Sequence, residues 1–166
     1  MFVISNELNK KDYHNAVYDF SDSLYRFSLK LCRDESMAKD LVQDAFEKVW
    51  IKHKTIDATK VKSYLFRTVH NKFIDSTRKS RIISIDEIDE PFHYQEAAHD
   101  LKEVLNHALN KLSDVQKSAV LLRDYEGYKY AEIGEILNLK EAQVKVYIFR
   151  ARKHLQKYIG EIEAVI

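Results

Sequence analysis

The sequence predicts an all-α protein made of two small helical domains joined by an acidic linker. The chain of 166 residues contains three Gly and one Pro, too few for the turns that a β-sandwich or barrel needs about every ten residues. Apolar residues make up 45% of the chain, and over long stretches they recur at steps of three and four, which is the period of a helix face. We therefore predict domains over residues 1–82 and 101–166, with a linker over residues 83–100.

The first domain is predicted to contain three helices. The first runs from about Asp12 to Cys32, and its apolar face consists of Tyr13, Val17, Phe20, Leu24, Phe27 and Leu31. Side chains at 34–36 can cap a second helix, whose apolar residues are Met37, Leu41, Val42, Ala45, Phe46, Val49 and Trp50. After a polar stretch over 52–59, a third helix should end near Arg81, and it carries Val61, Leu65, Val69, Phe73 and Ile74.

The linker is predicted from its charge, and the second domain from the helical pattern that follows it. Residues 86–101 contain six acidic residues and no Lys or Arg, around the chain's one proline. The next helix has an apolar face formed by Leu101, Val104, Leu105, Ala108, Leu109 and Leu112. Ser113 and Gln116 then have the spacing of a capping box, which predicts a helix through Leu122.

Residues 130–150 have the pattern of a helix-turn-helix. Gly134 allows two helices to approach closely, Asn138 tolerates the left-handed conformation that ends a helix, and Leu139 fills the turn. The second helix buries its apolar side and carries basic residues on the other, as expected of a helix in a DNA major groove. A helical hairpin with a solvated cationic face is the alternative, but the turn residues favour the helix-turn-helix.

A second basic segment spans residues 60–81. Seven basic residues against one acidic residue give it a net charge of +6, and Tyr64, Phe66, His70 and Phe73 lie among them. Cations beside rings that can stack on bases are typical of a single-stranded nucleic acid site. The alternative is that Tyr64, Phe66 and Phe73 belong mostly to the core.

Nothing in the sequence favours an enzyme or a metalloprotein. The spacing of His93, His99 and His107 matches no usual ligand pattern, and there is no glycine-rich phosphate loop or nucleophile elbow. A lone cysteine, Cys32, fits a reducing compartment, and no stretch approaches a membrane span. We expect a cytoplasmic protein without catalytic residues, metal or cofactor.

Two motif blocks resemble the bacterial RNA polymerase sigma factors of the extracytoplasmic-function (ECF) group. Residues 144–152, preceded by Leu112-Ser113-x-x-Gln116 and by 130–133, resemble region four of these factors. Residues 40–50 resemble the polymerase-binding helix of region two, and residues 64–71 resemble its promoter-melting helix, in which the family usually has Trp at the position of Tyr64. The resemblance covers nearly the whole chain.

The resemblance implies roles for three sets of residues. In region two, the residues expected to contact core polymerase are Asp40, Leu41, Gln43, Asp44, Phe46 and Glu47. The residues expected to bind the melted minus-ten element on the non-template strand are Tyr64, Arg67, His70, Asn71, Lys72 and Arg78. In region four, the residues expected to bind the duplex minus-thirty-five element are Lys145, Val146, Phe149, Arg150, Arg152 and Lys153.

The chain departs from the family pattern in its recognition helix. Val146 stands where a Ser is common, Tyr147 where an Arg is common, and Lys140 where a Ser usually caps the helix. Because an apolar Val146 can touch a thymine methyl but cannot donate a hydrogen bond to a phosphate, the promoter sequence should not be copied from relatives. For Phe46 and Trp50, simple packing inside the first domain is the alternative to polymerase contact.

The resemblance implies a transcription initiation factor that binds core RNA polymerase, recognises and melts promoters, and is controlled by an anti-sigma factor that can hold it at the inner membrane. A stand-alone helix-turn-helix regulator and a helical protein-binding adaptor are the alternatives. A DNA-binding domain is usually clearly basic, so the net charge of +1 alone would count against DNA binding, but the charge is unevenly distributed. The basic segments 60–81 and 140–158, at +6 and +5, are balanced by −4 over 34–47 and −6 over 86–101, which argues against indiscriminate DNA binding by the free protein.

Overall fold

The computed structural model describes residues 6–83 and 101–163, and the side chains of residues 6–80 and 101–161. Its helices are α1 (Lys10–Cys32), α2 (Glu35–Ile51), α3 (Val61–Ile83), α4 (Leu101–Asn110), α5 (Asp114–Val120), α6 (Tyr130–Leu137) and α7 (Glu141–Glu163). Two short 3-10 turns, His53–Thr55 and Ala58–Lys60, join α2 to α3. The all-α prediction is confirmed for this part of the chain. Of the predicted linker, 83–100, only Ile83 is described, as the last residue of α3, and 84–100 lie outside the described residues.

The first domain is a bundle of α1, α2 and α3. A capping box between Asn9 and Asp12 begins α1, and the left-handed Arg33, with φ 55°, ends it. The Asp34 side chain accepts a 2.8 Å hydrogen bond from the Met37 amide and so caps α2, within the predicted range 34–36. These local signals place the chain reversal at Arg33, so that α2 folds back along α1.

The centre of this bundle is apolar and closely packed. The rings of Phe27 on α1 and Phe66 on α3 lie with centroids 5.4 Å apart, and both side chains are fully buried. The Leu8 side chain is buried at the end of the bundle, where the Leu8 amide donates a hydrogen bond to the Ile56 carbonyl at 3.1 Å. Phe66 and Phe73 are core residues, which confirms the core alternative for these two rings.

The second domain contains α4 to α7, and α5 ends earlier than predicted. The capping box of Ser113 and Gln116 is present, but after Val120 the chain forms a π-helical turn, Leu121–Tyr125. Within it the Glu126 amide reaches back five residues to the Leu121 carbonyl at 3.1 Å. The wider turn lets Leu121 and Leu122 both enter the core, where they are 1% and 0% exposed.

The turn between α6 and α7 has the predicted geometry. Asn138 is left-handed, with φ 54°, and the Leu139 amide donates to the Gly134 carbonyl at 2.9 Å. A Cβ at Gly134 would lie 2.7 Å from the Leu139 carbonyl oxygen, so this position has no room for a side chain. Below the turn, Ile133 and Val144 are fully buried. The helix-turn-helix prediction is confirmed as a local structure.

The two domains are packed against each other. Helix α3 of the first domain lies along α6 of the second, and α1 contacts the π-helical turn. The rings of Phe66 and Tyr128 meet edge to face across this boundary, with centroids 5.2 Å apart. Part of the outer surface of α3 is therefore covered by the second domain, and the rest faces solvent.

We expect Gly134→Ala to lower the free energy of unfolding by about 1–3 kcal/mol, because the added methyl group forces the α6–α7 turn apart. Urea denaturation measures the change. Gly160→Ala is the matched control: a Cβ at Gly160 meets nothing within 4 Å, so there the same substitution should be neutral or stabilising by up to about 1 kcal/mol. Equal effects at the two positions would contradict the close approach at Gly134.

Candidate nucleic-acid interface

The outer face of α7 combines basic and apolar side chains. Phe149 and Val146 are 67% and 45% exposed, unusual values for apolar residues on a helix whose other side is fully buried through Val144 and Ile148. The cations on the exposed surface of α7 are Lys145, Arg150, Arg152, Lys153 and Lys157. The structure thus brings together on one helix all six residues predicted to contact the duplex.

Two of these cations already have acidic neighbours. Arg152 donates two hydrogen bonds to Asp124 in the π-helical turn, at 3.0 and 2.5 Å, which ties α7 to the preceding elements. Lys145 lies 3.5 Å from the Glu141 carboxylate and over the ring of Tyr130. The missing Ser at the start of α7 is replaced in part by Gln143, whose side chain accepts from the Lys140 amide at 2.9 Å.

The residues predicted to bind single-stranded DNA are divided over different sides of α3. Asn71, Lys72 and Arg78 are exposed, whereas Tyr64 is half-buried. Lys72 forms an ion pair with Asp44 on α2, so that a predicted DNA contact and a predicted polymerase contact meet here. Arg78 pairs with Asp75, one turn earlier, at 3.8 Å.

The first turns of α3 and the 3-10 turn before them face α6. Lys60 Nζ lies 2.6 Å from Glu135 Oε1, and Lys62 Nζ lies 2.6 Å from Glu132 Oε1. Arg67 donates through Nε to the backbone carbonyl of Glu135 at 3.1 Å. These hydrogen bonds, with Lys62 and Lys60 as the largest contributions, lower the pKa of Glu132 and of Glu135. The sequence places these cations in the basic segment 60–81, with Arg67 as an expected DNA contact, but it does not identify their partners on α6.

His70 lies inside the domain boundary, away from solvent. It is 4% exposed, and its Nδ1 is 2.7 Å from Ser118 Oγ on α5. Burial lowers its pKa to about 4, so the ring is neutral at pH 7. In this arrangement His70 cannot reach a DNA strand, and its predicted role stays a prediction that requires the domains to separate.

Lys117, next to Ser118, is a second buried polar contact across the boundary. Its Nζ donates to the Leu31 carbonyl at the end of α1 and to Asn110 Oδ1, both at 2.8 Å. Burial lowers the pKa of Lys117 to about 8. The ammonium is still favoured at the C-terminal end of a helix, where carbonyl groups carry partial negative charge. Sequence analysis missed this residue, because a lysine on an amphipathic helix normally faces solvent.

The predicted polymerase-binding residues on α2 separate into an outer and an inner set. Asp40, Gln43 and Glu47 are exposed and Asp44 is half-buried, whereas Leu41 and Phe46 are 3% and 8% exposed and pack inside the bundle. Burial of Leu41 and Phe46 gives both a core role, and their predicted contact with polymerase stays untested.

Trp50 extends the outer side of α2 with an aromatic surface. It is 42% exposed, stacks on His53 with ring centroids 4.9 Å apart and packs on Tyr13 at 5.0 Å. The core alternative for Trp50 therefore holds only for the part of the ring in contact with α1. Sequence analysis missed His53 and Tyr13 here, because they come from the following turn and from a neighbouring helix.

The described residues contain no group of three or more side chains suited to hold a metal ion. No helix among them is long and apolar enough to cross a membrane. The chemistry of the described surface consists of two basic areas, on α3 and α7, and an acidic side on α2.

Comparison with known proteins identifies two families along the chain. The sigma-70 region 2 family matches residues 17–82, and the sigma-70 region 4 family matches residues 102–155. The ECF RNA polymerase sigma factor SigM of Bacillus subtilis is 35% identical over 144 residues, which cover 82% of this chain and 88% of the relative. The chain belongs to the ECF group of RNA polymerase sigma factors. It is a transcription initiation factor that directs RNA polymerase to promoters.

Solved structures of sigma factors share the fold. The sigma factor RpoE from Bartonella quintana, solved in complex with the anti-sigma factor NepR, superposes with a TM-score of 0.74 at 26% identity, covering 90% of this chain and 98% of that chain. CnrH, solved with the cytosolic domain of CnrY, superposes with a TM-score of 0.72 at 22% identity, covering 92% of this chain and 90% of that chain. The fold of this sigma factor is therefore that of its family.

We expect His70 to titrate near pH 4 in the folded sigma factor, against about 6.5 in an unfolded chain. Between these two pH values His70 is protonated in the unfolded chain and neutral in the folded chain. The free energy of unfolding therefore falls as the pH drops through this window. An NMR titration of the imidazole signals measures the pKa, and His70→Gln identifies the resonance by its loss. A midpoint near pH 6.5 would mean that the domains do not cover this ring.

Proposed function

We propose that this sigma factor uses three separate surfaces at a promoter: α7 for the duplex minus-thirty-five element, α3 for the melted minus-ten strand, and the outer side of α2 for core polymerase. The observation that carries the proposal is the exposed surface of α7, where Val146 and Phe149 are exposed to solvent among five cations. The contribution is non-enzymatic and requires no cofactor, because binding and positioning are all that these residues supply.

The duplex step depends on α7 entering the major groove. Lys145 and Arg150 are suited to guanine acceptors or phosphates, and Val146 and Phe149 to the methyl groups of thymine. Lys153, one to two turns further on, is positioned to contact the backbone. Arg152 contributes by holding α7 to Asp124, or contacts the backbone by exchanging that carboxylate for a phosphate.

The single-strand step depends on α3 and on the turns before it. Exposed Asn71 is suited to hydrogen-bond a base edge, and the Tyr64 ring to stack on one, while Arg67, Lys72 and Arg78 supply charge for phosphates. Each stacked base contributes roughly 1–3 kcal/mol, enough to stabilise an opened base pair once polymerase holds the duplex. His70 would join this surface after the domains separate.

The polymerase step depends on the acidic side of α2. Asp40, Gln43 and Glu47 are exposed along one side of that helix, with Asp44 beside them. The half-exposed indole of Trp50 lies at the C-terminal end of the helix. Carboxylates around an aromatic anchor are suited to a basic partner surface, since charges steer the encounter and a buried ring contributes most of the affinity.

We further propose that an anti-sigma factor controls this chain in the cytoplasm, where RNA polymerase acts, and that such a factor can hold it at the inner membrane. The support is the likeness over 90% of the chain to RpoE, a sigma factor solved with the anti-sigma factor NepR. A partner that binds both domains in the packed arrangement would cover the acidic side of α2 and the basic areas together.

The proposal is tested by transcription from a cognate promoter with purified core polymerase, with and without this chain. A promoter-specific transcript that requires both is expected, together with weak binding of promoter DNA by the chain alone. If the chain instead binds duplex DNA tightly on its own and no specific transcript forms, it is a stand-alone helix-turn-helix regulator.

Two variants should separate the DNA surface from the polymerase surface. Arg150→Ala is expected to weaken binding of the holoenzyme to the upstream element by about tenfold or more, with unchanged co-elution with core polymerase. Asp40→Arg is expected to reduce co-elution, because it reverses a charge on the exposed side of α2. Size-exclusion chromatography and promoter mobility shifts provide the two measurements.

Glu103→Arg is the control for the charge reversal, because Glu103 is an exposed acid on α4, far from α2 in sequence and in the other domain. Loss of both activities in Arg150→Ala would indicate misfolding, and normal co-elution of Asp40→Arg would remove this side of α2 from the interface.

A further inference from the structure

An apolar stripe runs along the middle of the outward face of α7. Its members, Ala142, Val146 and Phe149, follow one another at steps of four and three, so they lie in one row on the side opposite the buried Val144. All three are exposed, Val146 at 45% and Phe149 at 67%. Of the α7 residues that the structure describes, Lys153 is the first in this row with a hydrogen-bonding side chain.

Cations flank the apolar stripe on both sides. Lys145 and Arg152, two turns apart, lie on one side, and Arg150 lies on the other. Carboxylates hold the first side in place: Lys145 Nζ is 3.5 Å from Glu141 Oε1, and Arg152 Nε donates to Asp124 at 3.0 Å. The outward face of α7 therefore carries charge at its edges and apolar surface at its centre.

This division of the face fits a major groove, in which phosphates line the two edges and the bases form the floor. Thymine is the base that presents a methyl group there, whereas the edges of guanine, adenine and cytosine are marked by nitrogen and oxygen donors or acceptors. An apolar side chain against a thymine methyl group removes apolar surface from water. Against one of the other bases it would remove a polar group from water without giving that group a partner. The apolar stripe therefore favours thymine and disfavours the other three bases.

We propose that this sigma factor selects its minus-thirty-five element by the methyl groups of a short run of thymines on one strand, which Ala142, Val146 and Phe149 contact. The inference rests on the proposed role of α7 in duplex binding and names the bases that this role requires. The stripe extends over about 10 Å, at about 1.5 Å per residue, and this length covers about three base pairs, at about 3.4 Å each. Because the family commonly has Ser at the position of Val146, the selection is a property of this chain.

The side chains of the stripe are suited to discriminate because they are stiff. A valine in a helix has one strongly preferred χ1 rotamer, and fixing a lysine or arginine costs much more rotamer freedom than fixing a small apolar side chain. Contact through Val146 therefore costs little conformational entropy, and its position relative to a base is well defined. The long cations at the edges can follow the backbone of any sequence. Specificity then depends mainly on the stripe, and affinity mainly on the cations.

The first test removes single methyl groups from the DNA. Holoenzyme, formed from purified core polymerase and the full chain, selects duplexes from a pool randomised over both promoter elements, and the bound duplexes are sequenced. We expect two or more adjacent thymines on one strand of the upstream element. Replacing one of them with deoxyuridine, which lacks only the methyl group, should weaken holoenzyme binding about three- to fivefold, the effect of one buried methyl group.

Thymines in the spacer between the two promoter elements are the matched control for this test. Replacing them with deoxyuridine should leave binding unchanged, because α7 does not reach them. Equal binding of the thymine and deoxyuridine forms of the upstream element would overturn the proposal, as would a selected element without adjacent thymines.

The second test assigns a methyl group to a side chain. At one thymine of the element, Val146→Ser should bring the ratio of thymine to deoxyuridine affinity close to one, because the apolar contact is gone. Leu101→Ser is the matched control: Leu101 is another exposed apolar residue of the same domain, and its replacement should leave every ratio unchanged. If Val146→Ser lowered both affinities equally, its side chain would not contact a methyl group, and the proposal would be wrong.

Transcription separates this inference from the proposed function. If holoenzyme selects no sequence and gives no promoter-specific transcript, the proposed function fails and the inference fails with it. If a promoter-specific transcript forms and a deoxyuridine upstream element supports it as well as the thymine form does, only the inference fails.

Discussion

The arrangement of the whole molecule depends on where the cations of α3 find counter-charges. A row of lysine and arginine side chains on one helix is self-repelling unless it is neutralised by solvent ions, by a ligand or by another part of the chain. Here the neutralising groups come from α6 through Glu132 and Glu135, from α2 through Asp44, and from α3 itself through Asp75. The carboxylates on α6 therefore help to determine which surface of the second domain packs on α3.

Helix α3 has an apolar side and a polar side. Its buried side, formed by Leu65, Phe66 and Val69, is fully excluded from water and stabilises the first bundle. Its other side is polar, and part of it lies against the second domain. Contacts between the domains are accordingly rich in charge, as at Arg26, whose guanidinium donates to Glu126 at 3.1 Å. The boundary also has an apolar part, since the buried Phe66 ring meets Tyr128 there and the buried apolar residues of the two bundles form one continuous cluster.

Local signals in the sequence predicted the helices, and tertiary complementarity explains what they could not predict. The caps at Asp34 and Ser113 and the left-handed Asn138 were predictable because each depends on a few neighbouring residues. The π-helical turn at Leu121–Tyr125 was not, since it arises from burying two successive leucines, which a regular helix period does not anticipate. Periodicity likewise assigned Leu41 and Phe46 to a helix but could not separate a core position from a contact with a partner.

The contacts between domains lay beyond sequence reasoning for a related reason. Lys117 and His70 are 47 positions apart in the sequence, and neither has a local feature that distinguishes it from a surface residue. Their burial follows from the geometry of packing: the end of α1 offers the Leu31 carbonyl to Lys117, and Ser118 meets His70 one residue later. A charged ammonium in such a place loses much of its hydration, and the helix end, Asn110 and the nearby Asp114 carboxylate compensate in part. Because a buried ammonium needs acceptors at defined positions, Lys117 fixes how α5 meets the end of α1 and gives the boundary between the two domains a specific register.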